Sequence, residues 1–222
     1  HGTKLRDAII SYAMDLGFSK VGFAKARLDE EAPRLSEWLH HGRHGQMEWM
    51  AREPERRWDA QASLPGAATV ICCALNYYQG TPLPPEGLSG VISSYAAGND
   101  YHDLMESKLR ALAAFIESRS EAKTKLYVDT GPVLEKSFAA AAGLGWVGKH
   151  SNLLSRDGSS WFFLGEILVD LSLPLDAITR DHCGSCTRCI QACPTKAIIS
   201  PYVVDSQLCI SYLTIELRGP IP

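Results

Sequence analysis

Apolar residues recur at helical spacing in several segments of the chain. The first set lies near the N-terminus and comprises Leu5, Ile9, Ala13 and Leu16. They fall on one helical face, and Gly17 supplies a stop. A second set indicates a long amphipathic helix and comprises Leu104, Leu109, Leu112, Ala113 and Ile116. The patterns predict helices over residues 3–16, 31–40, 101–118 and 133–142.

Other segments have the continuous apolar character of buried strands. The clearest is 68–77, which contains the adjacent Cys72 and Cys73 and predicts a strand buried in the core. Further strands are predicted over residues 20–24, 125–129 and 160–169. Strands mixed irregularly with helices indicate an α+β layered fold rather than regular strand–helix alternation.

Turn signals separate these elements. The Pro- and Gly-rich segment 80–87 predicts an exposed loop. Asp157-Gly158 is a strong hairpin signal and predicts that the strands on either side of it are paired. A linker over 170–179 then leads into a cysteine-rich segment. We therefore expect two domains, 1–175 and 176–222.

Composition and charge narrow the possible functions. The 222 residues are 45% hydrophobic, which is enough for one core and a small module. A net charge of −3 gives no global signature of nucleic-acid binding. No apolar run has the length of a transmembrane helix, and no signal-peptide core follows the N-terminus. Seven cysteines, an odd number, favour a reducing cytoplasm.

The most informative motif is the cysteine-rich segment. Its spacing is C-x2-C-x2-C-x3-C-P, formed by Cys183, Cys186, Cys189, Cys193 and Pro194. This spacing is typical of bacterial iron–sulfur loops, in which the fourth cysteine binds a second cluster. Zinc sites favour two separated cysteine pairs, and disulfides need an oxidising compartment. The motif therefore predicts a [4Fe–4S] site and electron transfer.

The number of cysteines falls short of two complete clusters. Two [4Fe–4S] clusters need about eight thiolates. Cys209 is the candidate for a fifth ligand, whereas Cys72 and Cys73 lie in the predicted buried strand and read as small apolar residues. We expect the remaining ligands to lie beyond residue 222, in a longer chain.

Three other sites leave alternatives open. Asp129 ends a predicted strand, so it is either a proton donor in a cleft or the cap of the following helix. Lys149 ends the glycine-bearing loop 143–149 and is either a ligand contact or a solvated side chain. The segment 95–102 either lines a cofactor pocket or supplies a helix cap through Asp100.

Four motifs in this order resemble those of the epoxyqueuosine reductases. They are residues 128–135 (VDTGPVLE), 142–149 (AGLGWVGK), the cysteine loop 183–197 and residues 209–216 (CISYLTIE). Residues 95–102 (YAAGNDYH) match the same family. Many ferredoxins share the cysteine loop, but the ordered set is specific. The resemblance runs from about residue 4 to residue 218.

The resemblance implies a fold, an activity and cofactors. The fold would be a nitroreductase-like cobalamin-binding domain followed by a ferredoxin-like module for two [4Fe–4S] clusters, incomplete in this chain. The enzyme would reduce the epoxide of epoxyqueuosine in tRNA to queuosine, the last step of queuosine biosynthesis. Electrons would pass from an external one-electron donor, of flavodoxin or ferredoxin type, through the clusters to cobalamin, which cycles between cob(II)alamin and cob(I)alamin. The family also implies a cytoplasmic monomer.

The resemblance assigns roles to individual residues as well. Asp129 falls on the family's proton donor, at a position that also contacts cobalamin. The other cobalamin positions are Arg57, Lys149, Leu153, Ser155, Leu164 and Ser211, with Ser93 placed by a looser alignment. Cys183, Cys186 and Cys189 would hold one cluster, and Cys193 and Cys209 would belong to the other.

Two different functions are also compatible with these motifs. A corrinoid reductive dehalogenase would use the same cofactors, although such enzymes usually carry an export signal. A non-catalytic iron–sulfur module would transfer electrons and use the N-terminal part as a docking scaffold. A base-off cobalamin spectrum of the purified protein would favour an enzyme over this module.

Overall fold

The centre of the molecule is a four-stranded antiparallel sheet with strand order β1-β2-β6-β3. The computed structural model describes residues 2–80, 87, 90–157 and 160–222. Most of the predicted loop 80–87 and Gly158 of the predicted hairpin therefore lie outside the described residues. The strands of the sheet are β1 (Lys20–Lys25), β2 (Thr69–Asn76), β3 (Thr124–Tyr127) and β6 (Phe162–Val169).

Strands β2 and β6 occupy the middle of the sheet because their apolar runs suit burial on both faces. Residues 69–74 of β2 are all buried, including Cys72 and Cys73. This confirms the predicted buried strand. Both cysteines pack into the apolar cores, on opposite faces of the sheet.

Helices cover both faces of this sheet. On one face, α1 (Gly2–Asp15) and α4 (Tyr101–Glu117) pack Ile9 and Leu109 against Ile167. On the other face, α5 (Glu135–Ala141) packs Phe138 against Leu168. Two peripheral helices, α2 (Glu31–His40) and α3 (Glu55–Trp58), complete this part of the chain. The arrangement confirms the predicted α+β class.

The buried face of α4 differs from the predicted one at its first turn. Leu104, expected in the core, is 48% exposed, whereas Met105 is fully buried. Met105, Leu109, Leu112 and Ile116 follow the i, i+4, i+7, i+11 spacing of a single stripe, and Leu104 lies about 100° away from it. The helix packs closely on β6, since a Cβ added to Gly165 would lie 2.6 Å from Leu109 Cδ1.

The predicted hairpin is wrong in its pairing. The strand before Asp157-Gly158 is β5 (Leu153–Leu154), and it pairs with β4 (Trp146–Val147) in a separate two-stranded sheet. Strand β6, on the other side of the turn, pairs with β2 and β3 instead. In the centre of the sheet, the apolar side chains of β6 are covered on one face by α1 and α4 and on the other by α5.

The cysteine-rich segment is small and tied to the rest of the chain by hydrogen bonds. Its elements are α6 (Arg188–Ala192), β7 (Ile198–Ser200), β8 (Val203–Val204) and α7 (Ile210–Ile215). Trp38 Nε1 donates to the Val204 carbonyl at 2.7 Å, and the Tyr212 hydroxyl accepts the Gln46 N–H at 2.9 Å. The domain boundary at 175/176 stays a prediction. No helix in the described ranges is long and apolar enough to cross a bilayer.

Candidate functional site

Asp129 lies just after β3, at the start of a turn. Its φ of +55° is in the left-handed region, which residues other than glycine seldom adopt. Its side chain is 59% exposed, so the carboxyl can reach a bound molecule. The alternative that it caps the next helix is wrong, because α5 begins later, after Leu134, and that N-cap has no side-chain hydrogen bond.

His102 lies beside this carboxyl. Its Nε2 is 3.3 Å from Asp129 Oδ2, and its Nδ1 is 2.7 Å from Asp100 Oδ1. Asp100 also accepts the backbone N–H of His102, so the predicted helix cap is confirmed. Partial burial lowers the pKa of His102, but its hydrogen bonds with Asp100 and Asp129 outweigh this and raise the pKa above its ordinary value. The imidazole can therefore carry a proton next to Asp129.

Two glutamates behind Asp129 were not identified from the sequence. Glu135 Oε1 accepts the backbone N–H of Asp129 at 2.5 Å. Glu166, in β6, is 0% exposed, and neither of its carboxyl oxygens has a hydrogen-bond partner of good geometry among the described residues. Burial raises the pKa of Glu135 to about 7, and burial together with the Glu135 charge raises that of Glu166 well above its ordinary value. The one sequence signal is a single carboxylate within the apolar run 162–169.

A cavity of about 280 Å³ lies at the N-terminal end of α5. Residues that line it include Lys136, Asn152, Leu153, Trp161, Phe162 and Leu164. Lys136 Nζ donates to Asn152 Oδ1 at 2.9 Å. The surrounding protein lowers the pKa of Lys136, while the charges of Glu135, Asp129 and Cys209 oppose this effect. The cavity wall thus combines aliphatic and aromatic side chains with an amide and an ammonium group, and two of the predicted cobalamin positions, Leu153 and Leu164, line it.

The remaining predicted cobalamin positions are distributed more widely. Arg57 is 6% exposed, and its guanidinium donates to the carbonyls of Trp49 at 2.8 Å and Met50 at 3.2 Å. Its own carbonyl accepts the N–H of Leu134, which places it beside the Asp129 turn. Burial, and then the neighbouring Arg56, lowers the pKa of Arg57. Ser155 is buried after β5, whereas Ser93 and Ser211 are exposed.

Lys149 connects the first part of the chain to the cysteine loop. It is 8% exposed, and its Nζ donates to the carbonyls of Gly184 at 2.6 Å and Cys186 at 2.9 Å. The alternative of a solvated lysine is therefore wrong. Since Lys149 lies between β4 and β5, it fixes the cysteine loop close to the strand that carries Leu153.

All five cysteines of the C-terminal segment are free thiols. Cys193 Sγ accepts the Ala197 N–H at 3.2 Å, and the pKa of Cys193 is lowered first by the backbone N–H of Ile198. Backbone donors of this kind stabilise cluster thiolates. In the described residues, no three His, Cys, Asp or Glu side chains converge on a single ion. A four-iron cluster with four cysteines spreads its ligands, one to each iron, so it does not need such convergence.

Comparisons with known proteins agree with the fold and with the iron–sulfur motif. Residues 57–130 match the family model "Epoxyqueuosine reductase QueG, DUF1730", and residues 182–222 match "4Fe-4S double cluster binding domain". The chain is 46% identical to the epoxyqueuosine reductase of Cellulophaga algicola, over 99% of this chain and 72% of that protein. A crystal structure of an epoxyqueuosine reductase with an epoxyqueuosine-modified tRNA stem loop has a TM-score of 0.91 and 32% identity.

That solved relative is matched over 99% of this chain, which spans 59% of the relative's length. A reductive dehalogenase, NpRdhA, has a TM-score of 0.59 and 16% identity, a likeness of fold alone. The sequence identity of 46% to the Cellulophaga algicola enzyme extends over nearly the whole chain and therefore shows more than a shared fold. The chain belongs to the epoxyqueuosine reductase family.

Proposed function

We propose that the protein removes the epoxide oxygen of epoxyqueuosine in tRNA and so forms queuosine. The observation that carries this proposal is the exposed Asp129 carboxyl, which contacts His102 and whose charge acts on Lys136 in the cavity wall, in a chain of this family. The solved relative bound to an epoxyqueuosine-modified stem loop supports the same substrate. The reductive dehalogenase alternative has less support, because its likeness to this chain is one of fold alone.

The reaction needs an acid. Converting an epoxide to an alkene consumes two electrons and two protons and releases the oxygen as water. Asp129 would protonate the departing oxygen, since its carboxyl is exposed and can reach a bound molecule. His102, held by Asp100, would then return a proton to Asp129 through the 3.3 Å contact. General acid catalysis commonly contributes about 10²–10⁴-fold to the rate.

The residues of the cavity fit a corrin. The side chains of Leu153, Phe162 and Leu164 in its wall suit the ring, and Asn152 and Lys136 suit the amide groups at the ring's edge. The cavity is small, so it would receive only part of so large a cofactor. Bound cobalamin would supply a strong two-electron reductant at this place. Leu153 and Leu164 would pack on it, and Lys136 would orient an amide oxygen.

The cysteine segment fits iron–sulfur clusters by its donor set. Five free thiols lie in a segment whose motif is typical of [4Fe–4S] ligands, and backbone N–H groups already point at Cys193. Lys149 would keep the first cluster near the cavity, because it binds the carbonyls of the cysteine loop and adjoins β5. We also propose an external one-electron donor, a cytoplasmic location and a monomeric state.

Mass spectrometry of the tRNA product tests this function. The full-length protein would be reconstituted without oxygen with iron, sulfide and cobalamin, reduced, and mixed with epoxyqueuosine-containing tRNA. We expect the modified nucleoside to lose one oxygen atom. Unchanged tRNA, from protein whose clusters and cobalamin are confirmed by spectroscopy, would contradict the proposal. Dehalogenation of a bromophenol in the same sample, without loss of the epoxide, would favour the dehalogenase alternative.

A further inference from the structure

Glu166 occupies an unusual place for a carboxylate. It lies in the central strand β6, opposite Cys72 of β2 and Tyr127 of β3, on the face that α5 covers. Its side chain is 0% exposed, and both carboxyl oxygens lack a hydrogen-bond partner of good geometry in the described part of the chain. An ionised carboxylate in such a place is strongly disfavoured, so Glu166 carries a proton.

Glu135 is the acidic group that acts on Glu166 most directly. The Glu135 charge opposes ionisation of Glu166, and the two carboxyls influence each other's titration. The other ionisable groups near the pair are Cys72, Cys73, Tyr101, Tyr127, Asp129 and Lys136. Lys136 is the cation among these neighbours, and it favours ionisation of Glu135. Two neighbouring carboxyls cannot readily ionise together, as in other carboxylate pairs.

We propose that Glu135 and Glu166 share one proton and act together as positioning residues that hold Asp129 in its left-handed conformation. The hold is the hydrogen bond from the Asp129 N–H to Glu135 Oε1, at 2.5 Å. It offsets the cost of a φ of +55° at a residue other than glycine. The catalytic meaning of this pair rests on the proposed function, in which Asp129 is the acid.

The hold depends on which carboxyl has the proton. A carboxylate accepts a backbone hydrogen bond more strongly than a carboxylic acid does. With the proton on Glu166, Glu135 is ionised and holds Asp129 firmly. Burial raises the pKa of Glu135 to about 7, so a second proton binds Glu135 as the pH falls through this value. The hold then weakens, and the Asp129 turn opens more often.

Infrared spectroscopy of the cofactor-loaded protein tests the shared proton. Glutamate labelled with ¹³C at its carboxyl would identify the C=O band of a protonated glutamate. At pH 8 we expect one such band, lost in Glu166→Gln and retained in Glu37→Gln, whose side chain is exposed on α2. A wild-type spectrum without a protonated glutamate at pH 8 would overturn the proposal.

Hydrogen exchange over residues 127–134 tests the hold on Asp129. After correction for the intrinsic rate, we expect exchange in this segment to slow as the pH rises, with a midpoint near 7. Glu166→Gln should lower the midpoint by at least about one pH unit, because its amide donates permanently to Glu135. Glu135→Gln should remove the pH dependence, and Glu135→Ala should raise exchange about tenfold or more. The matched control is again Glu37→Gln.

The outcomes separate this inference from the proposed function. Exchange that is independent of pH in the wild type, or unchanged in Glu135→Ala while β2 stays protected, would overturn the hold. If Glu135→Ala does not fold, hydrogen exchange in Glu135→Gln tests the hold instead. Loss of the pH dependence supports the hold, and a pH dependence like that of the wild type overturns it. If both readouts appear as expected but tRNA is not reduced, the pair and its hold stand and the proposed function fails.

Discussion

The two parts of the chain are stabilised in different ways. The part up to residue 175 has two clusters of buried apolar side chains, one on each face of the sheet. After residue 175, the buried apolar side chains in the described ranges are Ala197 and Tyr212, while Ile178 and Ile215 are more than half exposed. The cysteine segment is instead held by hydrogen bonds such as those of Lys149, and by the clusters that we expect it to bind. Its order should therefore depend on iron far more than the order of the sheet does.

The largest effect should follow removal of the iron and sulfide. Because a segment with so little apolar core gains its stability from metal binding, we expect residues 182–217 to lose protection from hydrogen exchange. Strand β2 should keep its protection and serves as the internal control. An unchanged exchange pattern in the cysteine segment would contradict the contrast between the two parts.

The apolar core of the first part can be tested on α4. Leu112→Ala should lower the free energy of unfolding by about 2–5 kcal/mol, since it leaves a cavity beneath a fully buried side chain. Leu104→Ala, on the same helix but 48% exposed, should change it by less than about 0.5 kcal/mol. Urea denaturation measures both. Equal losses for the two variants would show that the assigned buried face is wrong.

The carboxyl pair of Glu135 and Glu166 should make the stability of the first part depend on pH. Burial raises the pKa of Glu135 from 4.5 to about 7, so the folded state binds more protons than the unfolded state between these values. The free energy of unfolding should therefore fall as the pH rises from about 5 to 8, by about 1–3 kcal/mol. Urea denaturation of the wild type and of Glu166→Gln at about pH 5 and about pH 8 measures these free energies of unfolding.

The Glu166→Gln variant tests whether the carboxyl pair is the origin of this pH dependence. It removes one buried ionisable group and lowers the pKa of the other, so the pH dependence should become flatter and the protein more stable at pH 8. The raised pKa of His102 acts in the same direction but is common to both proteins. A pH dependence that is the same in the variant would place its origin elsewhere.

A smaller and more local effect should follow removal of the Lys149 contact. Lys149→Met leaves the carbonyls of Gly184 and Cys186 without their donor, which costs about 1–3 kcal/mol. We expect faster hydrogen exchange over residues 183–189 without unfolding of the sheet. The control is Lys196→Met, an exposed lysine in the same segment. Equal changes in the two variants would show that Lys149 does not hold the loop.

The sequence predicted those elements whose patterns are local. The buried strand β2 and the stripe of α4 follow from apolar spacing alone, and the cluster motif follows from ligand spacing. The pairing of β5 with β4 did not, because a turn signal at Asp157-Gly158 specifies a local reversal and not the partner that buries the strand. The choice of Leu104 instead of Met105 was wrong by one residue, because two adjacent apolar residues lie at the edge of the helical stripe and spacing alone does not tell which one is buried.

The site was predictable only in part, since its side chains interact over long sequence distances. Asp129 was open to a capping interpretation until the structure showed α5 beginning at Glu135. The ammonium of Lys149 is buried by a loop more than 30 residues further along the chain. Glu166 stands in an apolar strand, and nothing in its local pattern indicates that Glu135, at the start of α5, interacts with it. Such contacts come from packing, not from sequence neighbours.

The most direct test of the proposed function is a single turnover by the Asp129→Asn variant. The variant and the wild type would both be loaded with iron, sulfide and cobalamin, reduced without oxygen, and mixed with epoxyqueuosine-containing tRNA. We predict that the variant is loaded and reduced like the wild type but forms queuosine about 10²–10⁴-fold more slowly, because the acid is missing. Queuosine formation at a near-normal rate would contradict the account.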